Sequence, residues 1–192
     1  MTKRQMFIGG VAIVVVVFIL YNVYTEYEST RDGGDGSTGT GQPDENMLKK
    51  TASDGICNPG NLRQNSVVFM GELRQPFEFR GAMINPLNNQ FKSFISMSYG
   101  YRAMVRVLRS YVNKGYKTLT QIINRYAPST ENNTNAYIQY VSQRAGIDPN
   151  ADLTTLINGP YVSELIKHMV RLEQGANFVI DENDIRTGVN LA

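Results

Sequence analysis

An uninterrupted apolar run at residues 6–24 (MFIGGVAIVVVVFILYNVY) constrains the fold of this chain more than any other feature. The run holds no charged residue. As a helix rising about 1.5 Å per residue, it can cross a hydrocarbon core of about 30 Å. In lipid a lone strand would leave its backbone groups unpaired, whereas a helix pairs them internally. The run therefore predicts a single N-terminal transmembrane helix.

The charges that flank this run predict how the chain is oriented. Lys3 and Arg4 lie in a short basic head at residues 1–5, and acidic Glu26 and Glu28 follow the run. Since basic residues stay on the cytoplasmic or inner side, everything after the run should lie on the non-cytoplasmic side. A cleaved signal peptide is the alternative, but no small-x-small cleavage site follows the run. We therefore expect a single-pass signal anchor in a lipid bilayer.

Two segments of different amino-acid composition follow the predicted helix. Residues 25–55 are rich in Gly, Ser, Thr and Asp, and such a segment cannot bury enough apolar surface to order itself. We predict a flexible linker there, with a span of roughly 30 Å. Residues 56–192 are long enough for one core of ordinary size and are predicted to form the globular domain.

Charge and residue counts exclude several classes of function. The chain has 19 Lys+Arg against 17 Asp+Glu, a net charge of +2, so we expect no nucleic-acid surface. One Cys and one His exclude an intrachain disulfide and a His/Cys metal site. No glycine-rich phosphate loop of standard spacing is present. We expect no cofactor and no metal.

Helical periodicity dominates the second half of the domain, so the fold class is predicted as mainly α with a loop-rich, partly β first part. The arginines of the first helix (102, 106 and 109) are expected to form a solvated face, and an anion site is the alternative. Predicted helices cover residues 99–113, 119–126, about 134–144 and about 160–175, and predicted short strands cover 67–70 and 77–79.

Glu173 is the first candidate for a catalytic acid. It lies 11 residues after Val162, almost three helical turns, and therefore falls near the apolar stripe of its helix. Desolvation and the negative end of the helix dipole would both raise the pKa of its carboxyl group, as a general acid requires. The alternative is that the helix frays there and Glu173 points to water.

Two further acidic residues, Glu131 and Glu72, occupy positions where ordinary surface roles are usual. Glu131 follows Pro128 at the start of a helix, where interaction with the N-terminal dipole is the usual role. An anionic stabiliser would suit it better than an acid, and it is the second catalytic candidate. Glu72 lies in a turn-rich segment and is expected to be exposed.

The segment Asn58-Pro59-Gly60-Asn61 has the residues of a tight turn, since Pro presets φ and Gly accepts a positive φ. The two Asn amides could bind neighbouring backbone or face a polar ligand such as a sugar. Tyr126 and Tyr137 flank the loop at 128–134 and could serve as stacking platforms in a groove.

An ordered series of short motifs resembles a family of phage virion structural proteins, some with lysozyme-like or transglycosylase-like modules. No single motif is distinctive, but their order and spacing match over about residues 58–147. Tyr126 stands where the family often has Trp, and Glu173-Gln174-Gly175 resembles a Glu-Asn-Gly of the family. The motifs are NPGNLR (58–63), FKSF (91–94), GYRAM (100–104), YVNKG (111–115), INRYAP (123–128) and ENNT (131–134).

This resemblance implies a lysozyme-like domain directed at peptidoglycan, and a membrane anchor would fit a tailless phage with an internal membrane. The chain lacks the Glu-Ser pair of standard soluble transglycosylases, so catalysis stays open. The expected partners are the lipid bilayer, peptidoglycan and other virion membrane or capsid proteins. The expected location is the virion membrane or the host inner membrane. Candidate substrate-binding residues are Asn58, Asn61, Arg63, Tyr126, Asn132 and Tyr137.

Two alternatives belong to other classes of function. One is a non-catalytic structural protein of the virion membrane. The other is a bacterial envelope protein of prophage origin. The main hypothesis is a membrane-anchored virion protein whose domain acts as a lytic transglycosylase or glycosidase in penetration of the cell wall.

Overall fold

The structure is a computed structural model that describes residues 43–192. The predicted basic head, the predicted transmembrane helix at 6–24 and the linker up to residue 42 lie outside the described residues. Within the described part, none of the helices combines the length and the apolar character needed to cross a membrane.

The described part is mainly helical, as the periodicity predicts. Its strands form one antiparallel hairpin, in which Phe77 pairs with Ile84 and Phe79 with Ala82. Short 3-10 turns at Glu45–Met47 and Pro86–Asn88 complete the first part. The regular elements are β1 (Phe77–Phe79), β2 (Ala82–Ile84), α1 (Met97–Asn113), α2 (Leu119–Tyr126), α3 (Thr134–Ala145), α4 (Thr154–Asn158), α5 (Val162–Gln174) and α6 (Glu182–Asn190).

Helix α1 is the centre of the core, and α2, α4, α5 and α6 all pack against it. Its apolar residues recur at helical spacing, and Tyr101, Met104 and Leu108 are fully buried. Helix α6 approaches most closely at Gly188, where an added Cβ would lie 2.6 Å from the Ser98 carbonyl oxygen. Only a residue without a side chain lets the two backbones come this near.

Capping residues fix the helices that border the site. Thr118 and Gln121 form a reciprocal capping box at the start of α2. The Asn133 side chain accepts from the backbone N–H of Ala136 and begins α3, which ends at Gly146 in the left-handed conformation (φ 65°). The Asn133 cap ends the loop between α2 and α3, which forms one rim of the site.

Residues 43–55, predicted as the last part of the linker, are folded onto the domain. Leu48 is 5 % exposed and Thr51 is 4 % exposed. The backbone N–H of Cys57 donates to the Lys49 carbonyl at 2.8 Å. The polar composition of this stretch gave no sign of these contacts. One buried leucine and backbone pairing with residues 56–57 are enough to hold the stretch against the domain.

One predicted strand was wrong and two helices were not predicted. Residues 67–70 form no strand; they lie at the surface with Val67 and Val68 more than half exposed. Helix α4 was missed because it has only five residues. Helix α6 was missed because its polar sequence buries only Ile185, Gly188 and Val189, a stripe too narrow to read from the sequence.

Candidate functional site

An open cleft of about 460 Å³ lies between the turn at 58–63, the end of α2 with its following loop, and the end of α5. Its wall brings together residues that are distant in the sequence. Six of the eight predicted site residues line it: Asn61, Arg63, Tyr126, Glu131, Asn132 and Glu173.

Glu173 is the next-to-last residue of α5, and its carboxylate is partly buried in the wall of the cleft. Its Oε1 accepts a hydrogen bond from the Tyr137 hydroxyl at 3.0 Å. Its Oε2 accepts one from Asn61 Nδ2, also at 3.0 Å. Burial raises the pKa of the Glu173 carboxyl group, and this effect outweighs the two hydrogen bonds, which lower it. The carboxyl group therefore keeps its proton to a higher pH than an ordinary glutamate.

Asn61 is held in a single orientation by its neighbours. Its backbone is left-handed (φ 46°), a conformation that Asn tolerates better than most residues. Besides the carboxylate, Nδ2 donates to the backbone carbonyl of Glu173 at 3.0 Å, which satisfies a free carbonyl at the end of α5. Asn61 Oδ1 accepts from Gln174 Nε2 at 3.0 Å. The nitrogen of the amide, and not its oxygen, thus faces Glu173.

Gln174 is a site residue that sequence reasoning missed. Its Nε2 also donates to the Pro59 carbonyl at 3.0 Å, and its Oε1 accepts from the backbone N–H of Ala52 at 2.6 Å. The side chain thereby joins the end of α5 to the turn at 58–61 and to the segment at 43–55. The motif Glu173-Gln174-Gly175 was the sequence signal that included it.

Asn58 does not reach the cleft, contrary to the sugar contact predicted for it. The residue is fully buried, and its Nδ2 donates to the carbonyls of Leu62 and Lys92, each at 3.0 Å. Its Oδ1 accepts from the Leu62 backbone N–H at 2.9 Å. Every strong hydrogen-bonding group of the amide is used inside the turn, so Asn58 shapes the turn that presents Asn61.

The two predicted tyrosines have different positions. Tyr126 lines the cleft and its hydroxyl donates to the Gly60 carbonyl; a Cβ on Gly60 would lie 2.5 Å from that hydroxyl oxygen. Tyr137 is 8 % exposed and lies behind Glu173, where it holds the carboxylate. Burial raises the pKa of both hydroxyl groups well above the ordinary value, so both remain hydrogen-bond donors.

Arg63 and Glu131 form an ion pair at the rim of the cleft, with Arg63 Nη2 2.7 Å from Glu131 Oε2. The two side chains are 58 % and 51 % exposed, so solvent screens the pair. Glu131 lies in a turn before α3, and Asn133 caps that helix instead. The predicted dipole contact of Glu131 is replaced by this pairing. Asn132 is exposed beside it.

A buried ion pair forms part of the floor and was not expected. Lys92 Nζ lies 3.1 Å from both carboxylate oxygens of Glu72 and donates to the Val67 carbonyl at 2.8 Å. Both charged side chains are fully buried. The expectation that Glu72 is exposed was wrong, because the loop at 67–72 folds over the lysine.

The described residues hold neither a metal site of this type nor a reactive thiol. No group of three or more His, Cys, Asp or Glu side chains between residues 43 and 192 is arranged to hold a metal ion. The Cys57 thiol is buried, and burial raises its pKa to about 11, so it stays protonated and unreactive.

The chain is similar in sequence to a phage protein. It is 36% identical over 98 residues to Protein P5 of Pseudoalteromonas phage PM2. The match spans 50% of this chain and 59% of that protein, so the chain covers less than two thirds of its relative. No protein-family model matches the chain. The sequence relationship supports the phage origin that the motifs indicate.

Proposed function

We propose that this chain is a phage virion protein that is anchored in a membrane by residues 6–24 and cleaves the glycan strands of peptidoglycan in its cleft. The observation that carries the proposal is the Glu173 carboxyl group, partly buried in the cleft wall and held by Tyr137 and Asn61. The virion assignment rests on the sequence relationship to a phage protein.

The hydrogen bonds around Glu173 suit a general acid. Asn61 Nδ2 and the Tyr137 hydroxyl both donate to the ionised carboxylate, so they stabilise the form that Glu173 takes once its proton has left. The proton moves to the glycosidic oxygen as the C1–O bond breaks. In a transglycosylase the carboxylate then takes a proton from the 6-hydroxyl of the same sugar, whose oxygen bonds to C1. One carboxyl group is sufficient for both steps.

The rest of the cleft has the chemistry to hold a neutral sugar chain. Asn132 presents an amide, Arg63 presents a guanidinium group, and Tyr126 offers an aromatic ring. Such groups recognise hydroxyl and N-acetyl substituents and pack against a sugar ring. A hydrolase would need a second carboxylate at about 5–9 Å from the acid, and Glu131 is the other carboxylate in the lining of the cleft.

The proposal is tested by clearing of purified peptidoglycan sacculi with the full chain in a mild detergent. We expect Glu173→Gln to lower the rate by about 10²–10⁴-fold, the contribution of one general acid. Glu164→Gln is the matched control, since it makes the same change on the exposed face of the same helix. Anhydro sugar ends among the products indicate transglycosylation, and reducing ends indicate hydrolysis.

Full activity of Glu173→Gln would show that another group supplies the proton. If Glu131→Gln abolished clearing instead, the acid would be Glu131. No clearing by the wild-type chain, with a helical circular dichroism spectrum, would favour the non-catalytic structural protein of the virion membrane.

A further inference from the structure

A second groove, of about 490 Å³, continues from the cleft along helix α1. The two share part of their lining, so a ligand chain can pass from one to the other without leaving the surface. The shared residues are Asn65, Phe69, Val107, Tyr111 and Arg125.

One wall of this groove is cationic. Arg102, Arg106, Lys114 and Arg125 line it, and no acidic residue of the described chain does. Arg102 and Arg106 are anchored by hydrogen bonds to backbone carbonyls of the C-terminal residues. The side chains that line the groove therefore carry a net positive charge.

Lys114 and Arg125 are the most available of these cations. Both are exposed, and neither side chain forms a hydrogen bond or an ion pair with the described residues. Arg125 also lines the cleft that holds Glu173, so it stands where the two grooves meet. An anionic group that branches from a ligand in the cleft would meet Arg125 first.

The opposite wall is apolar and exposed. Val67, Val68 and Met70 line it and are 54 %, 58 % and 55 % exposed. Such a cluster, facing cations across a groove, is matched by a ligand that alternates small apolar groups with carboxylates.

We propose that this groove binds the acidic stem peptide of peptidoglycan, an inference that rests on the proposed function of the neighbouring cleft. The glycan chain itself is uncharged, and the free carboxylates of the polymer lie on peptides that branch from its sugars. Arginine pairs with carboxylates in a forked geometry, and the alanine methyl groups of the stem pack against the valines. A concave groove joined to the cleft fits a branching chain better than it fits the flat surface of a bilayer.

The test compares binding of the full chain, carrying Glu173→Gln to prevent cleavage, to two immobilised glycans: intact sacculi and the glycan strands that an amidase frees from them, which lose the stem peptides and cross-links and keep a lactyl carboxylate. We expect about tenfold tighter binding to intact sacculi, the gain of one or two charge-assisted contacts. Adding Arg106→Gln and Lys114→Gln, at residues that line this groove and not the cleft, should remove most of this difference and leave binding to the stripped glycan unchanged. Lys117→Gln with Arg144→Gln is the control of equal charge, as both residues lie outside the groove.

Equal binding of the parent chain to both glycans would overturn the proposal. If the chain with both groove substitutions lost binding to vesicles containing an anionic phospholipid but bound intact sacculi as the parent chain does, the proposal would be overturned in favour of a membrane contact. The proposed catalysis is tested separately. If the chain with Glu173 intact does not cleave sacculi but its binding still depends on the stem peptides, the groove proposal holds and the enzyme proposal is wrong.

Discussion

Glu173 acquires its chemical character from residues that are far away in the chain. Asn61 precedes it by 112 positions and Tyr137 by 36. The helical spacing from Val162 was sufficient to predict a half-buried carboxylate with a raised pKa, because position on a helix is a local property. The donors that hold it could not be predicted, since they depend on how the turn at 58–61 and helix α3 pack.

The Tyr137 hydroxyl sets the pH range in which Glu173 can act as an acid. It stabilises the charged carboxylate, so Tyr137→Phe should raise the pKa of Glu173 further above its ordinary value. Clearing that needs protonated Glu173 is lost as the pH rises through this pKa. The alkaline limb of the pH profile of sacculus clearing should therefore move to higher pH in the variant.

Tyr140→Phe is the matched control, because Tyr140 is on the same helix and has no recorded contact with Glu173. Its alkaline limb should coincide with that of the wild-type chain. A limb that moves to lower pH in Tyr137→Phe would contradict the assigned role of the hydroxyl.

The pair Lys92–Glu72 shows the limit of reading burial from composition. Charged residues are seldom fully buried, so an exposed Glu72 was the reasonable expectation. Lys92→Met should lower the free energy of unfolding by about 3–5 kcal/mol, because it leaves the Glu72 carboxylate buried without its partner. Urea denaturation of the chain measures this loss.

The double variant Lys92→Met/Glu72→Leu should recover most of that stability, since it removes both buried charges. If Lys92→Met alone were as stable as the wild type, Arg74, whose Nη1 is 3.4 Å from Glu72, would have to replace the lysine as the partner of the carboxylate.

At the scale of elements, long amphipathic helices were predictable and short or polar ones were not. Helices α1 and α2 were predicted nearly to the residue, because their apolar stripes are regular and their ends carry stop signals. Helix α6 has no such stripe and owes its place to close packing on α1.

Gly188 tests this packing. In an exposed helix, Gly→Ala would add about 1 kcal/mol of helix propensity. Here the new Cβ would lie 2.6 Å from the Ser98 carbonyl oxygen and 2.7 Å from Tyr101 Cβ. Gly188→Ala should therefore lower the free energy of unfolding by about 1–3 kcal/mol, the usual cost of overpacking. Thermal denaturation followed by circular dichroism measures it.

Asn190→Ala, an exposed change in the same helix, should leave stability within about 0.5 kcal/mol of the wild type. If Gly188→Ala were more stable than the wild type, α6 would have to sit farther from α1 than the structure places it.

At the scale of the whole molecule, composition separates a polar stretch from a folded domain but misplaces the boundary between them. The domain begins by residue 45 and not at residue 56, since Leu48 and the backbone of Lys49 pack into it. The predicted linker therefore loses its last part, residues 43–55, to the domain.

The variant Leu48→Ala tests where the predicted linker ends. If residues 43–55 belong to the domain, deleting this 5 % exposed side chain should lower the free energy of unfolding by about 2–4 kcal/mol. Met47→Ala is the neighbouring control, since Met47 is 42 % exposed and its loss should cost less than about 0.5 kcal/mol. Equal stability of the two variants, measured by urea denaturation, would return residues 43–55 to the linker. Because Ala52 in the same segment donates to Gln174 beside the acid, Leu48→Ala should also slow clearing of sacculi at temperatures where the chain is still folded.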